Sequence, residues 1–253
     1  MRAGVLRDGA LLAAGTLSVV RVPAPQRVDR AVAGVAMCLA PLIGFLVALP
    51  GTAVVELARR AGTGDLVSAA LGVATVAWTT GGLHLDGVAD TVDGLAAARA
   101  DRAEALEVMR RGDVGPLGAA ALVLTLIVQV AALARGLPVW GVWALPLAAV
   151  AGRCTLPVLC ARGIQPARAA GLGAAVAGSV PRLPALLLPL AAAGLAGLLL
   201  SAGRADLAVA GGCAVGVALA ALAVRRFAGI TGDVLGAAVE WGTAAALVVL
   251  AAG

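Results

Sequence analysis

Polar positions in this chain come in short clusters, and the stretches between them are almost wholly apolar. Seven of those stretches reach or approach the roughly 20 residues that a membrane-crossing helix needs. They are Ala31–Leu57, Leu66–Leu85, Val114–Ala134, Leu137–Ala161, Pro184–Ala202, Leu207–Val224 and Val234–Ala252. Pro41 and Pro50 fall inside the first and predict a kink there. Two more apolar runs are too short to span: Leu11–Val20 reads as an interfacial or re-entrant segment, and Ala169–Val180 as a dipping loop. Gly34, Gly72, Gly81, Gly82, Gly118, Gly152, Gly211, Gly212 and Gly216 fall within the spans, where small residues allow close helix packing. The expected fold is all-α: one polytopic, membrane-embedded helical bundle over residues 1–253, with about seven transmembrane helices.

Composition sharpens this picture. The chain is 61% hydrophobic and 13% charged, with mean hydropathy +1.01. A soluble domain is about half apolar and a quarter charged, so a water-soluble globule is excluded, and so is disorder. Aromatic residues make up 2% and Tyr is absent, which argues against a stacking platform for nucleic-acid bases. Cys38, Cys154, Cys160 and Cys213 form no CxxC and lie in apolar stretches, so they read as small buried residues. The short apolar run after Arg7 and Asp8 lacks a small-residue cleavage site and does not read as a removable signal.

The 19 basic residues are all arginine, and they test the orientation. With the N-terminus in the cytoplasm, the inside segments hold Arg2, Arg7, Arg21, Arg27, Arg30, Arg99, Arg102, Arg110, Arg111, Arg162, Arg168, Arg182, Arg225 and Arg226. The outside loops hold only Arg59, Arg60, Arg135 and Arg204, and Arg153 lies within a span. That bias predicts a multi-pass protein of the inner membrane with its N-terminus inside.

The acids are unevenly placed: seven of the fourteen lie between Asp86 and Asp113. Asp86, Asp90 and Asp93 stand at i, i+4 and i+7, within an arc of about 60° on one helical face. Bare like charges at that spacing repel, so the cluster calls for a cation. Oxygen ligands alone suit a hard divalent ion such as Mg²⁺, which also binds substrate phosphates. Asp101 and Glu104 read as a capping box, Glu107 pairs with Arg110 or Arg111, and Asp113 is placed to cap the next span. His84, the lone histidine, points nearly opposite the aspartate face if the helix runs through it.

A second polar set lies at Thr231–Glu240. Asp233 and Glu240 are seven apart and share a face, although Asp233 alone could be an N-cap. Glu240 sits about two turns inside an apolar helix, where an acid marks a functional site by default. Arg153 is similarly deep in its span and could pair with Glu240 or meet a phosphate, and Arg168 precedes the loop Gly171-Leu172-Gly173. Acids and arginines gathered at one membrane face suit metal-assisted phosphoryl or nucleotidyl transfer.

The segment Gly81-Gly82-Leu83-His84-Leu85-Asp86-Gly87-Val88-Ala89-Asp90-Thr91-Val92-Asp93-Gly94 closely resembles the signature of the cobalamin synthase family, the adenosylcobinamide-GDP ribazoletransferases. The resemblance continues in order through Arg21-Val22-Pro23, Pro41–Gly44, Ala105–Arg110 with Gly115, Arg153, Ala167-Arg168 with Gly171–Gly173, and Thr231–Asp233 with Gly236-Ala237 and Glu240. It departs from the family pattern at Arg111–Asp113, Ala169-Ala170 and Thr243. The resemblance implies a Mg²⁺-dependent membrane enzyme that joins α-ribazole, or its 5′-phosphate, to adenosylcobinamide-GDP and releases GMP. Asp86, Asp90 and Asp93 would hold metal, and Arg153 and Arg168 would contact phosphates, with Asp233 and Glu240 beside the substrate. The base is one of the aspartates, His84 or Asp233. The implied partners are the two substrates and the lipid bilayer, with room for a homo-oligomer and none for nucleic acid.

Two other readings compete. A CDP-alcohol phosphotransferase shares membrane helices and clustered aspartates, but this chain lacks the A-R and the G-x3-D-x3-D that follow at its spacing. An ion-coupled transporter could use Glu240 and Arg153 as a relay, yet the acids cluster at one face rather than the midplane.

Overall fold

A computed structural model describes residues 3–99, 101–200 and 204–252. Within these residues the chain forms twelve α-helices, one short 3-10 helix (Gly141–Trp143) and no named strand. The α-helices are α1 (Ala3–Leu17), α2 (Arg30–Arg60), α3 (Asp65–Thr79), α4 (Leu83–Ala97), α5 (Arg102–Arg111), α6 (Pro116–Trp140), α7 (Ala144–Arg153), α8 (Thr155–Leu159), α9 (Leu172–Val176), α10 (Arg182–Leu200), α11 (Ala205–Phe227) and α12 (Gly232–Ala251).

By length and composition, five helical segments can cross a membrane, and the bent α3–α4 pair would make a sixth. One of the five, Pro116–Leu159, doubles back at Gly141, whose φ of 59° no ordinary residue adopts readily. Residues on its two limbs, Gln129 on α6 and Gly152 on α7, meet α12 at Glu240 and Thr243 respectively. The segment therefore supplies two antiparallel limbs, as the hydrophobic pattern predicts. The reversal comes at Gly141 rather than at Arg135, which lies inside α6.

Elsewhere the ends of the predicted spans shift for local reasons. α2 runs unbroken through Pro41 and Pro50. The span predicted over Leu66–Leu85 stops at Thr79, because Gly81 and Gly82 both take left-handed φ angles, 65° and 71°. The chain then turns by 90° into α4. The aspartate helix is thus a separate element, set at an angle to α3 rather than continuous with it. Leu11–Val20 is the second half of α1 and its exit, and α1 packs along α2. Ala169–Val180 carries the one-turn α9, and the loop is closed by a bridge between Ala161 and Val180. The predicted span end at Ala202, and Arg2 of the arginine count, lie outside the described residues.

α12 is the axis of the bundle. It packs on α4, α6, α7 and α11, and Val234, Ala237, Ala238, Ala246 and Leu247 along it are buried. Its glycines set the spacing: Gly242 meets Gly152 and Gly212 backbone to backbone, and Gly236 meets His84 and Gly87. Outside the bundle, Leu186, Leu190, Leu198 and Trp78 are exposed, as expected of surface that faces lipid.

Candidate active site

The first turns of α2, α6, α10 and α12, the last turns of α8 and α11, and all of α4 and α5 gather at one end of the bundle. Contacts among them fix this arrangement: Arg30 reaches the Ala177 carbonyl, Asp93 reaches Gly115, and Arg168 reaches Leu106. These are the ends that the arginine count assigns to the cytoplasm.

At that end, two signature segments distant in sequence touch. A Cβ on Gly87 would lie 2.6 Å from the Asp233 carbonyl oxygen and 3.1 Å from the Gly236 Cα, so only glycine lets α4 rest on the first turns of α12. A two-residue bridge adds the third segment. Ala167 N–H donates to the Ile230 carbonyl at 2.9 Å, and Ile230 N–H donates to the Gln165 carbonyl at 3.0 Å. This bridge ties the loop bearing Arg168 to the residue before the α12 cap. Gly229 is required there, since a Cβ would come within 2.6 Å of three backbone atoms of residues 165–167.

These contacts enclose a cavity of about 160 Å³, whose lining includes His84, Asp86, Arg168, Gly171, Thr231 and Asp233. Asp233 Oδ2 stands 3.6 Å from Arg168 Nη1. Arg168 Nη2 donates to the Leu106 carbonyl of α5 at 2.9 Å, which aims the guanidinium across the cavity. Thr231, not Asp233, caps α12 by accepting from Val234 N–H at 3.2 Å. Asp233 is therefore free for chemistry, and its Oδ2 is buried with no hydrogen-bond partner.

The predicted site residues divide into four groups, of which Asp93 is the last. His84, Asp86, Arg168 and Asp233 meet at the cavity. Asp90 is 5% exposed and sits behind the cavity wall, within electrostatic reach of Asp86, Asp233 and Arg168. Arg153 and Glu240 lie deeper and line a separate, much smaller hollow of about 20 Å³. They form no ion pair within 4.0 Å among the described residues. Glu240 instead accepts from Gln129 Nε2 at 2.7 Å and stands 3.8 Å from His84 Nδ1. Arg153 donates to the Ala149 carbonyl at 3.3 Å, with its Nε and Nη2 unpartnered. Neither lines the cavity, so the structure does not bring Arg153 and Glu240 together with His84, Asp86, Arg168 and Asp233.

Asp93 stands apart from the cavity lining and is engaged by the start of α6. Its two carboxylate oxygens accept from Gly115 N–H at 2.7 Å and Gly118 N–H at 2.9 Å. The side chain thus caps the positive N-terminal end of α6 from outside the helix. It also displaces Asp113 from the cap the sequence suggested. Asp101 caps α5 and Glu107 pairs with Arg110 at 2.8 Å, both as predicted.

Gln129 is the member that sequence reasoning missed. Its signal was present, as the only carboxamide in the apolar stretch of α6. Its partner is 111 residues away, and no local pattern connects them.

Among the described residues, no three His, Cys, Asp or Glu side chains form a ready metal cage. The residues present nonetheless fit a magnesium ion. Mg²⁺ is commonly held by one or two carboxylates plus substrate phosphates and water, and the orphaned Asp233 Oδ2 beside Asp86 offers such a donor pair.

Fold and site together define a polytopic helical membrane protein with an acid-and-arginine cavity at one end. The chain belongs to the cobalamin-5-phosphate synthase family, whose sequence model matches residues 9–251. It is 44% identical over 251 residues to an adenosylcobinamide-GDP ribazoletransferase of Nocardioides sp. (strain ATCC BAA-499 / JS614), covering 98% of this chain and all of that one. Proteins of the same name in Frankia casuarinae and Pseudomonas aeruginosa strain UCBPP-PA14 are 40% and 37% identical. The alignments cover 93% and 91% of this chain, and 91% and 90% of theirs. No solved structure matches the chain.

Proposed function

We propose that this protein is a Mg²⁺-dependent adenosylcobinamide-GDP ribazoletransferase of the cytoplasmic membrane, with its active site facing the cytoplasm. A hydroxyl of α-ribazole, or of its 5′-phosphate, attacks the cobinamide-linked phosphorus of adenosylcobinamide-GDP. A phosphorus–oxygen bond to the ribazole forms, the bridging bond to the guanylate phosphate breaks, and GMP departs. The hydroxyl proton passes to a base. The product is adenosylcobalamin or its 5′-phosphate. The observation that carries this reading is the seating of α4 on α12 at Gly87 and Gly236, which puts Asp86, Asp233, Arg168 and His84 on one cavity.

Each residue then has a physical task. Arg168, held by the Leu106 carbonyl, presents a guanidinium to the diphosphate. Asp86 and Asp233 would hold the magnesium ion, which when bound offsets negative charge on the phosphates. Asp90, behind them, strengthens the pull on a cation. His84 lines the cavity and takes the hydroxyl proton. Glu240, anchored by Gln129, stands 3.8 Å behind His84 Nδ1, on the side of the ring away from solvent. A cavity of about 160 Å³ receives the reacting phosphates but not a corrinoid, since pockets enclosing a drug-sized ligand run to roughly 300–1,000 Å³. The corrinoid therefore lies outside it.

The test is incubation of the purified protein with adenosylcobinamide-GDP, α-ribazole and Mg²⁺. GMP and a cobalamin product are expected, in equal amounts. Neither product from folded protein, or CMP release from a CDP-alcohol instead, overturns the reading.

A further inference from the structure

A groove of about 1010 Å³ lies on the flank of the bundle, bordered by α1, α2, α10 and the 162–181 loop. It lies on a different face of α2 from the acidic cavity: Gly34 and Cys38 line the groove, whereas Met37 lines the cavity. α10 leans mainly on α11 and meets α2 only slightly, so the groove is a gap in the helical wall. Its long walls are apolar, with Leu6, Leu39, Leu187 and Leu188 along them.

Its polar end is strongly basic. Arg30 and Arg162 line it. Arg182 stands beside them, its Nε donating to the Arg162 carbonyl at 3.3 Å. No acidic residue lines the groove. Among the described residues, no carboxylate lies within 4.0 Å of any of these three guanidinium groups. Ser179, 7% exposed, also lines the groove, and its Oγ is buried without a hydrogen-bond partner.

Three unneutralised arginines and a spare hydroxyl above an apolar channel are complementary to an amphiphile with an anionic head and an acyl tail. Basic pockets between membrane helices on the cytoplasmic side hold anionic lipid headgroups for the same reason. We propose that this groove is a binding site for one anionic phospholipid. Its phosphate sits at Arg30, Arg162 and Ser179, and an acyl chain runs between α2 and α10. The site is independent of the transferase chemistry and does not rest on it.

The test uses the full chain in neutral detergent, with bound lipid counted by native mass spectrometry. Phosphatidylglycerol and phosphatidylcholine of identical acyl chains are compared. Phosphatidylglycerol should be retained roughly tenfold better or more, and the double variant R30Q/R162Q should reduce its retention by up to roughly thirtyfold. Ala191→Trp places a bulky ring in the groove and leaves the arginines intact. It should lower retention of both lipids, and it decides the matter if the double variant does not fold. Equal retention of the two lipids, or unchanged retention in the variants, overturns the proposal. Displacement of phosphatidylglycerol by GMP or inorganic phosphate also overturns it, because the site would then serve a water-soluble anion.

Discussion

Gly87→Ala sets two effects of opposite sign against each other. In an exposed helix interior, glycine costs about 0.5–1 kcal/mol relative to alanine, so propensity alone favours the substitution. At this position the added Cβ would stand 2.6 Å from the Asp233 carbonyl oxygen, 3.2 Å from the Asp233 Cα and 3.1 Å from the Gly236 Cα. All three are backbone atoms of a buried helix and cannot rotate away. Ordinary contact begins at 3.4 Å, so α4 and α12 must part by roughly 0.8 Å. Overpacking of this kind costs about 1–3 kcal/mol, which outweighs the propensity gain. The melting temperature in detergent should fall by a few degrees. Turnover should suffer more, because Asp86 and Asp233 ride on the two parted helices, and a shift of about 1 Å can cost on the order of 100-fold. The assay is GMP release well below the melting point. Gly194→Ala in α10 is the control: nothing lies within 4 Å of its added Cβ, so it should stabilise slightly and leave turnover alone. A Gly87→Ala protein that melts no lower than the parent and turns over normally would refute the packing argument.

Asp93 and Asp86 of α4 and Asp233 of α12 should separate by readout. Asp93→Asn loses an acceptor at the α6 terminus and should cost about 1 kcal/mol of stability with the Mg²⁺ requirement unchanged. Asp86→Asn and Asp233→Asn should keep the melting temperature but raise the Mg²⁺ needed for half-maximal turnover, or abolish turnover; normal Mg²⁺ dependence in both would sink the metal assignment. Arg168→Gln removes a charged hydrogen bond of about 1.5–3 kcal/mol, so KM for adenosylcobinamide-GDP should rise roughly ten- to hundredfold, and an unmoved KM would show that Arg168 does not meet the diphosphate. Asp113→Cys, in a background without the four native cysteines, should resist membrane-impermeant thiol reagents in intact cells, whereas rapid labelling from outside would reverse the topology.

Much of the fold was legible because it is local. Transfer of a long apolar run into lipid, and the capping of its ends, depend on the run itself. This is why α12 begins within two residues of the predicted Val234 and α11 within two of Leu207. The two errors of segmentation are also local: paired glycines at 81 and 82 stop α3 early, and Gly141 rather than Arg135 turns the chain. Both glycine sites are visible in the sequence. Within a uniformly apolar run, however, hydropathy has no contrast with which to mark a break.

The candidate site divides along the same line. Helical spacing alone put Asp86 and Asp90 on one face, and burial cost alone marked Glu240 and Arg153 as unusual, since both follow from the geometry of a single helix. The sequence could not say which of these groups face one another. Asp93 has the same residue type and the same helical face as Asp86, yet it caps α6, because the α6 N-terminus lies against that turn of α4. Glu240 looked like a partner for Arg153 and is instead held by Gln129. Asp233 looked like a cap, and Thr231 took that place. In each case the outcome depends on which helix end reaches a given side chain. That is set by glycine-to-backbone contacts such as Gly87 on Asp233 and Gly229 on Pro166, between residues far apart in the chain. Periodicity and transfer energy belong to the segment and can be read from it. Pairing belongs to the packed bundle, and only the tertiary structure decides it.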